Sequence, residues 1–233
     1  MVMDGVLNID KPRGITSHDV VQRVRRILRI KKVGHTGTLD PEATGVLPVL
    51  VGKATKISRF LINSDKEYIA TMMLGIKTDT GDSKGRVISE ASGPFPSEKE
   101  IRSVFEGFTG KIPQVPPMYS AIKVNGMPLY SLARKGIEVE RKAREITVYS
   151  LDVRNIESTL ITFRVHCSKG TYIRTLVSDI GDALGVGGHL VSLRRIVAGK
   201  FRIEDSVSLK ELEEGYKNGN MVKGFYTVEN ALS

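Results

Sequence analysis

Fifteen residues, Gly34-His-Thr-Gly-Thr-Leu-Asp40-Pro-Glu-Ala-Thr-Gly-Val-Leu-Pro48, constrain this chain more than any other stretch. Three glycines and two prolines suit neither a long helix nor a central strand, so the run reads as an ordered loop. It gathers one histidine, three threonines and two carboxylates. Polar groups fixed on a loop over a rigid scaffold are a common setting for chemistry. Asp40 stands directly before Pro41, which disfavours helical torsion angles and predicts an extended aspartate. Spacing alone leaves two readings open: a working carboxylate, or a cap for a helix starting near Ala43.

The rest of the chain supplies the setting. Its 233 residues suffice for one large domain or two small ones. The net charge of +9 points to a polyanionic partner, nucleic acid first, although charge describes a field and not a function. Through residue 64 there are eleven Lys and Arg against five Asp and Glu. The single Cys167 excludes an intramolecular disulfide and reads as a small buried side chain. No apolar run is long enough to span a membrane, and the N-terminus lacks the pattern of a signal peptide. The expected location is the cytoplasm.

Residues 4–9 read as a short strand. Ser17 is the expected N-cap of a helix with Val20, Val21, Val24, Ile27 and Leu28 on one face and Arg23, Arg25, Arg26 and Arg29 on the other. A solvated helix face explains those arginines as well as a ligand does. Residues 54–64 look helical. Residues 66–74 read as a strand with Tyr68 near its start, which without further information is an amphipathic core residue. Residues 75–85 form a turn, not a calcium loop, because Gly81 and Ser83 occupy positions three and five of a loop starting at Asp79. Ser97-Glu-Lys-Glu100 is a capping box. A short helix over residues 129–135 ends at Gly136. Residues 146–156 and 160–167 are paired strands. A helix follows to Leu184, then a strand from His189 and a short helix from Val207. Neither a phosphate loop around Lys53 nor a dinucleotide fingerprint at Gly34 and Gly37 has the right spacing. The four histidines lack metal-ligand spacing with Cys167, so no metal and no organic cofactor is expected.

Residues 34–48 resemble the catalytic loop of the TruB-type pseudouridine synthases, GHTGxLDPxATGxLP, with every fixed letter present. The likeness runs from about residue 4 to 230. It includes IDKPRGITSHDVV at the start, a tyrosine two residues after Lys66, PPMYSAIKVNG and the Lys169–Thr175 segment KGTYIRT. The resemblance implies an α+β pseudouridine synthase fold, a mixed, largely antiparallel sheet flanked by helices, with a basic cleft across it. Strands from both ends of the chain should pair around Asp40. It implies one catalytic domain over residues 1–233, ending where a C-terminal RNA-binding domain of the PUA type usually begins.

By the same resemblance the substrate is the T stem-loop of tRNA, at the uridine numbered 55. No protein partner is required, and a monomer is expected. Asp40 is the nucleophile, and Arg174 is the cation that keeps it ionised where burial would oppose ionisation. The sequence leaves open whether Asp40 attacks ribose or base. The target base must leave its stack. Tyr68 then stacks on it, Tyr172 and Leu193 complete the pocket, and His35 enters the RNA loop. Two other readings fit the basic charge: an RNA-binding protein without turnover, and an isomerase for a different structured RNA.

Overall fold

The computed structural model describes residues 4–220 and 223–233. In chain order, β1 (Gly5–Lys11), α1 (Ser17–Leu28), β2 (Val33–His35), β3 (Thr44–Val51), a 3-10 turn (Gly52–Ile57), α2 (Ser58–Leu61) and β4 (Lys66–Leu74) come first. Next are β5 (Ile76–Thr78), β6 (Val87–Glu90), α3 (Glu98–Gly107), β7 (Gly110–Gln114), β8 (Lys123–Val124), β9 (Met127–Pro128) and α4 (Leu129–Ala133). Then follow β10 (Arg144–Glu157), β11 (Leu160–Cys167), α5 (Ile173–Ala183) and β12 (Gly188–Ala198). The chain finishes with β13 (Phe201–Arg202), α6 (Leu209–Lys217), β14 (Phe225–Thr227) and α7 (Val228–Leu232). The architecture is α+β, with a mixed, largely antiparallel sheet. Among the described residues no helix is long and apolar enough to cross a membrane.

The chain divides into two compact units. The first comprises Met1–Ile69 and Leu193–Ser233. Its strand order is β14-β1-β3-β12, with β2 on β3 and β13 on β12. The strands from the two ends of the chain pair as expected: Gly5 lies opposite Thr227 and Leu7 opposite Phe225, antiparallel. Helix α1 buries Val20, Val21, Val24 and Leu28 against Leu7, Ile9, Leu47, Val49 and the α6 residues Leu209 and Leu212. At about 2 kcal/mol per buried aliphatic side chain, that face of α1 holds it to the sheet far more firmly than helix propensity does. The N-cap of α1 is Thr16, which forms a capping box with Asp19. This corrects the expectation for Ser17, whose hydroxyl is engaged elsewhere.

Strand β3 is a second correction. Residues 44–48 are not loop but the start of a buried strand that pairs with β1 on one side and with β12, then β2, on the other. Pro48 is tolerated because its carbonyl accepts from Thr36 N–H on the β2 side, just beyond the end of that three-residue strand. Its ring nitrogen faces the same way, so no bond to β1 is lost. Gly45, at φ +102°, is required: a Cβ there would lie 2.1 Å from the carbonyl oxygen of Arg195 on β12, which runs parallel to β3.

The second unit is Ala70–Ser192. Antiparallel β11, β10 and β7 follow the second half of β4. Helix α3, opened by the Ser97–Glu100 capping box, buries Ile101 and Phe105, and Phe105 meets Phe163 of β11 edge to face at 5.3 Å. Residues 76–90 form the β5–β6 hairpin, and Asn125-Gly126, both at positive φ, turn β8 into β9.

Candidate functional site

The loop between β2 and β3 is held by side chains from three other elements of its own unit. Ser17, in the first turn of α1, accepts from Leu39 N–H at 2.8 Å and donates to Leu39 C=O at 3.0 Å. On the other side of Asp40, Pro41 C=O receives Gly14 N–H at 2.8 Å and the Lys11 ammonium at 3.1 Å. The residues before and after Asp40 are therefore both pinned. Ala43 N–H donates to Asp40 C=O at 3.1 Å, so the chain turns directly after the aspartate, with Pro41 at the position that favours such a turn. A strand, not a helix, follows at Thr44, which removes the helix-cap reading of Asp40.

Lys11 is fully buried at the end of β1. Its ammonium uses all three donors, on Pro12 C=O at 3.0 Å, Ile15 C=O at 2.6 Å and Pro41 C=O at 3.1 Å. Burial pushes its pKa down to about 8, against the attraction of Asp40 and Glu42 and with the repulsion of Arg195. Arg195, 2 % exposed, donates from Nε to Val46 C=O at 2.7 Å and from a terminal nitrogen to Gly37 C=O at 3.0 Å. It ties both ends of the loop to β12. Its neighbour Arg194 points the other way, making a two-pronged pair with Asp10 at 2.8 and 3.2 Å and a bond to Thr44 Oγ1 at 3.3 Å. Two buried cations thus serve backbone carbonyls around Asp40 and leave a positive field at the loop.

The first unit also carries three more of the expected site residues. His35 ends β2, and its Nδ1 accepts from Gly37 N–H at 3.3 Å, so the ring proton of the neutral form sits on Nε2. Burial, then Arg195 and His18, lower its pKa, which keeps the imidazole neutral at neutral pH. Tyr68 is on the buried face of β4, 8 % exposed. Leu193, half-buried on β12, shares a strand face with Arg195.

Arg174 and Tyr172 belong to the second unit, at the start of α5. Arg174 is 5 % exposed and donates to Thr80 C=O at 2.8 Å and Tyr119 C=O at 2.6 Å; its Nε lies 3.8 Å from Asp82. Tyr172 is fixed through its backbone: its N–H donates to Gln114 Oε1 at 2.8 Å and its C=O accepts from Gln114 Nε2 at 3.1 Å. Both residues are held as fixed features of their unit, as residues that meet a ligand must be.

Sequence reasoning missed Lys11 and Arg195 as anchors. Lys11 follows Asp10, and Arg195 follows Arg194 in a strand with other polar residues, so neither stands out by its pattern.

This arrangement occurs on a fold shared with pseudouridine synthases. One chain of an H/ACA ribonucleoprotein bound to a substrate RNA containing 2'-deoxyuridine is 34% identical with a TM-score of 0.76, over 99% of this chain and 61% of that one. One chain of a Cbf5-Nop10-Gar1 complex is 36% identical with a TM-score of 0.78, over 99% and 62%. This chain thus spans about three fifths of those solved chains.

Residues 25–173 match the TruB family pseudouridylate synthase (N terminal domain), and residues 174–224 the tRNA pseudouridylate synthase B C-terminal domain. Proteins named tRNA pseudouridine synthase B from Clostridium kluyveri and Geobacter sulfurreducens are each 51% identical over 99% of this chain and 78% and 76% of their own. The chain belongs to the TruB family of pseudouridylate synthases, and the class of reaction is isomerisation.

Proposed function

We propose that this chain converts the T-loop uridine of tRNA, position 55, to pseudouridine, with Asp40 as the nucleophile. The reaction is an isomerisation: the bond from uracil N1 to ribose C1′ breaks, the base turns, and C5 bonds to C1′. The proton lost from C5 is balanced by the one gained at N1, so no outside group or redox partner is needed. The observation that carries this reading is the pinning of Leu39 and Pro41 on either side of Asp40, which fixes the backbone that carries one carboxylate. A loop that only connected two strands has no use for a buried, triply bonded lysine. The positive field of Lys11 and Arg195 favours a negative charge at this loop.

The remaining roles are part of the proposal. Arg174 supplies the cation that orients Asp40. Tyr68 stacks on the flipped uracil, Tyr172 and Leu193 line its pocket, and the neutral His35 occupies the place the base has left in the RNA loop. Residues 1–233 act as one catalytic domain, as a monomer in the cytoplasm, without a protein partner.

The test is Asp40→Asn assayed two ways on an unmodified T-stem-loop RNA. Pseudouridine should vanish while binding persists. Persistent product would remove Asp40 from the chemistry. Product in another RNA and none in the tRNA T loop would move the activity to a different substrate.

A further inference from the structure

A groove of about 810 Å³ lies between α1 and α6, inside the first unit and away from the pinned loop. Its walls carry Arg23, Arg26 and Arg29 from α1 and its end, and Lys210, Tyr216 and Lys217 from α6. All six side chains are exposed. The one acidic wall residue, Glu213, is already paired with Lys217 at 2.7 Å. The three arginines make no ion pair within 4 Å among the described residues.

Helix C-termini favour cations, but by only about 0.3–1 kcal/mol and mainly in the last turn. Like charges three residues apart on one helix stripe repel by a comparable amount each. The repulsion within the run at 23, 26 and 29 and the attraction of the dipole are thus of similar size, and an anionic partner would relieve that repulsion. The floor, half-buried Ile27 and buried Leu209, is apolar, and Tyr216 stands 43% exposed with its hydroxyl donating to Leu28 C=O at 3.3 Å. Cations in a line beside a fixed aromatic ring match a nucleic-acid strand, phosphates on the charges and a base or sugar on the ring.

Position sharpens this. Ser17, at the first turn of α1, grips the loop that bears Asp40, whereas Arg29 lies about 18 Å further along the helix axis. A phosphate seated there belongs to a part of the RNA distinct from the reacting nucleotide. We infer that the α1–α6 groove is a second RNA-binding surface, which grips the phosphate backbone of the substrate outside the loop that reacts. The inference rests on the reading of this chain as an RNA-modifying enzyme.

The test uses the full chain and unmodified full-length tRNA, with Kd and KM measured from 0.05 to about 0.3 M salt. Two variants probe the two walls: Arg23→Gln with Arg26→Gln and Arg29→Gln, and Lys210→Gln with Lys217→Gln. The triple variant should bind at least about tenfold more weakly near 0.1 M salt, and its salt slope should flatten by about one for each arginine that met a phosphate. The loss should fall on KM; a structural lesion would lower kcat and the melting temperature as well. Should the triple variant fail to fold, the lysine pair, exposed on the opposite wall, decides by the same slope.

Wild-type slope and affinity in both variants would overturn the proposal. So would binding to phosphatidylserine vesicles that the triple variant loses while its tRNA binding stays intact. If the wild type binds tRNA through the groove but forms no pseudouridine in it, the groove stands and the proposed reaction falls.

Discussion

Residues 34–48 and residues 115–142 both contain loop, and they differ in how many of their supports come from a distance. In the first, buried polar side chains hold backbone carbonyls from a distance: Lys11 reaches Pro41, Ser17 reaches Leu39, and Arg195 reaches Gly37 and Val46. In the second, most of the structure is local, with two longer ties: Arg174 donates to Tyr119 C=O and Arg141 to Pro116 C=O. Strands β8 and β9 are two residues each, α4 is five, and the bonds that close it run between near neighbours, such as Ile137 N–H to Leu132 C=O. Val115, Met127, Tyr130 and Ile137 stay 41–47% exposed. One region is fixed before any ligand arrives. The other presents apolar surface that nothing in its own segment covers. An aspartate that must point one way belongs in the first kind of region.

The largest expected effect is at Asp40. Asp40→Asn should lower pseudouridine formation by at least about 10⁴-fold, the scale seen when a reacting group is removed, with RNA affinity nearly unchanged. A modest loss would mean that the fixed region serves binding alone.

Lys11→Met tests what does the fixing. It removes the donor shared by the carbonyls of Pro12, Ile15 and Pro41, and urea unfolding should show a loss of about 3 kcal/mol or more. Activity should fall further than stability explains, because Pro41 is released. pH separates the two effects. The Lys11 pKa is pushed down to about 8, below its ordinary 10.5 in the unfolded chain. Between those values the unfolded chain holds more protons, so this group's contribution to stability rises with pH across that window. Activity should move the other way, falling above pH 8 as the ammonium that bonds Pro41 loses its charge. A kcat profile flat to pH 10, beside a stability curve that rises, would show that the neutral amine holds the loop equally well.

How much of this was legible beforehand depends on the distance over which each feature is encoded. Strand 66–74 was readable as a short run rich in aromatic, β-branched and apolar residues, and α3 because its capping box lies within four residues. Lys11 and Arg195 were not, since their partners lie as far as 30 and 158 residues away and are backbone carbonyls, which leave no mark on residue type. Ser17 looked like a cap because a hydroxyl before a helical run usually is one; Thr16 took that place and freed it to hold Leu39. Pro48 hid β3, because tolerance of a proline depends on which neighbour ends beside it. The return of residues 193–233 to the unit of residues 1–69 is a long-range fact too, and only the family resemblance led to its expectation.

Amide exchange tests the contrast directly. Leu39, whose N–H goes to the buried Ser17 hydroxyl, and Thr36, bonded to Pro48 C=O, should exchange at least about a hundredfold more slowly than amides of residues 125–137. Equal rates would mean that the pinning seen around Asp40 opens as readily as a surface turn.

The smallest expected effect is at Ile137. Nearly half its surface is exposed, so Ile137→Ser removes little burial and creates no cavity. Its backbone bond to Leu132 survives the change. Stability should shift by less than about 0.5 kcal/mol, as for ordinary surface substitutions. Set beside the loss expected for Lys11→Met, that is a difference of roughly sixfold between two single side chains in loop-rich regions. A cost above about 1 kcal/mol for Ile137→Ser would mean that residues 115–142 are packed in solution, and the division between a fixed region and an open one would fail at its open end.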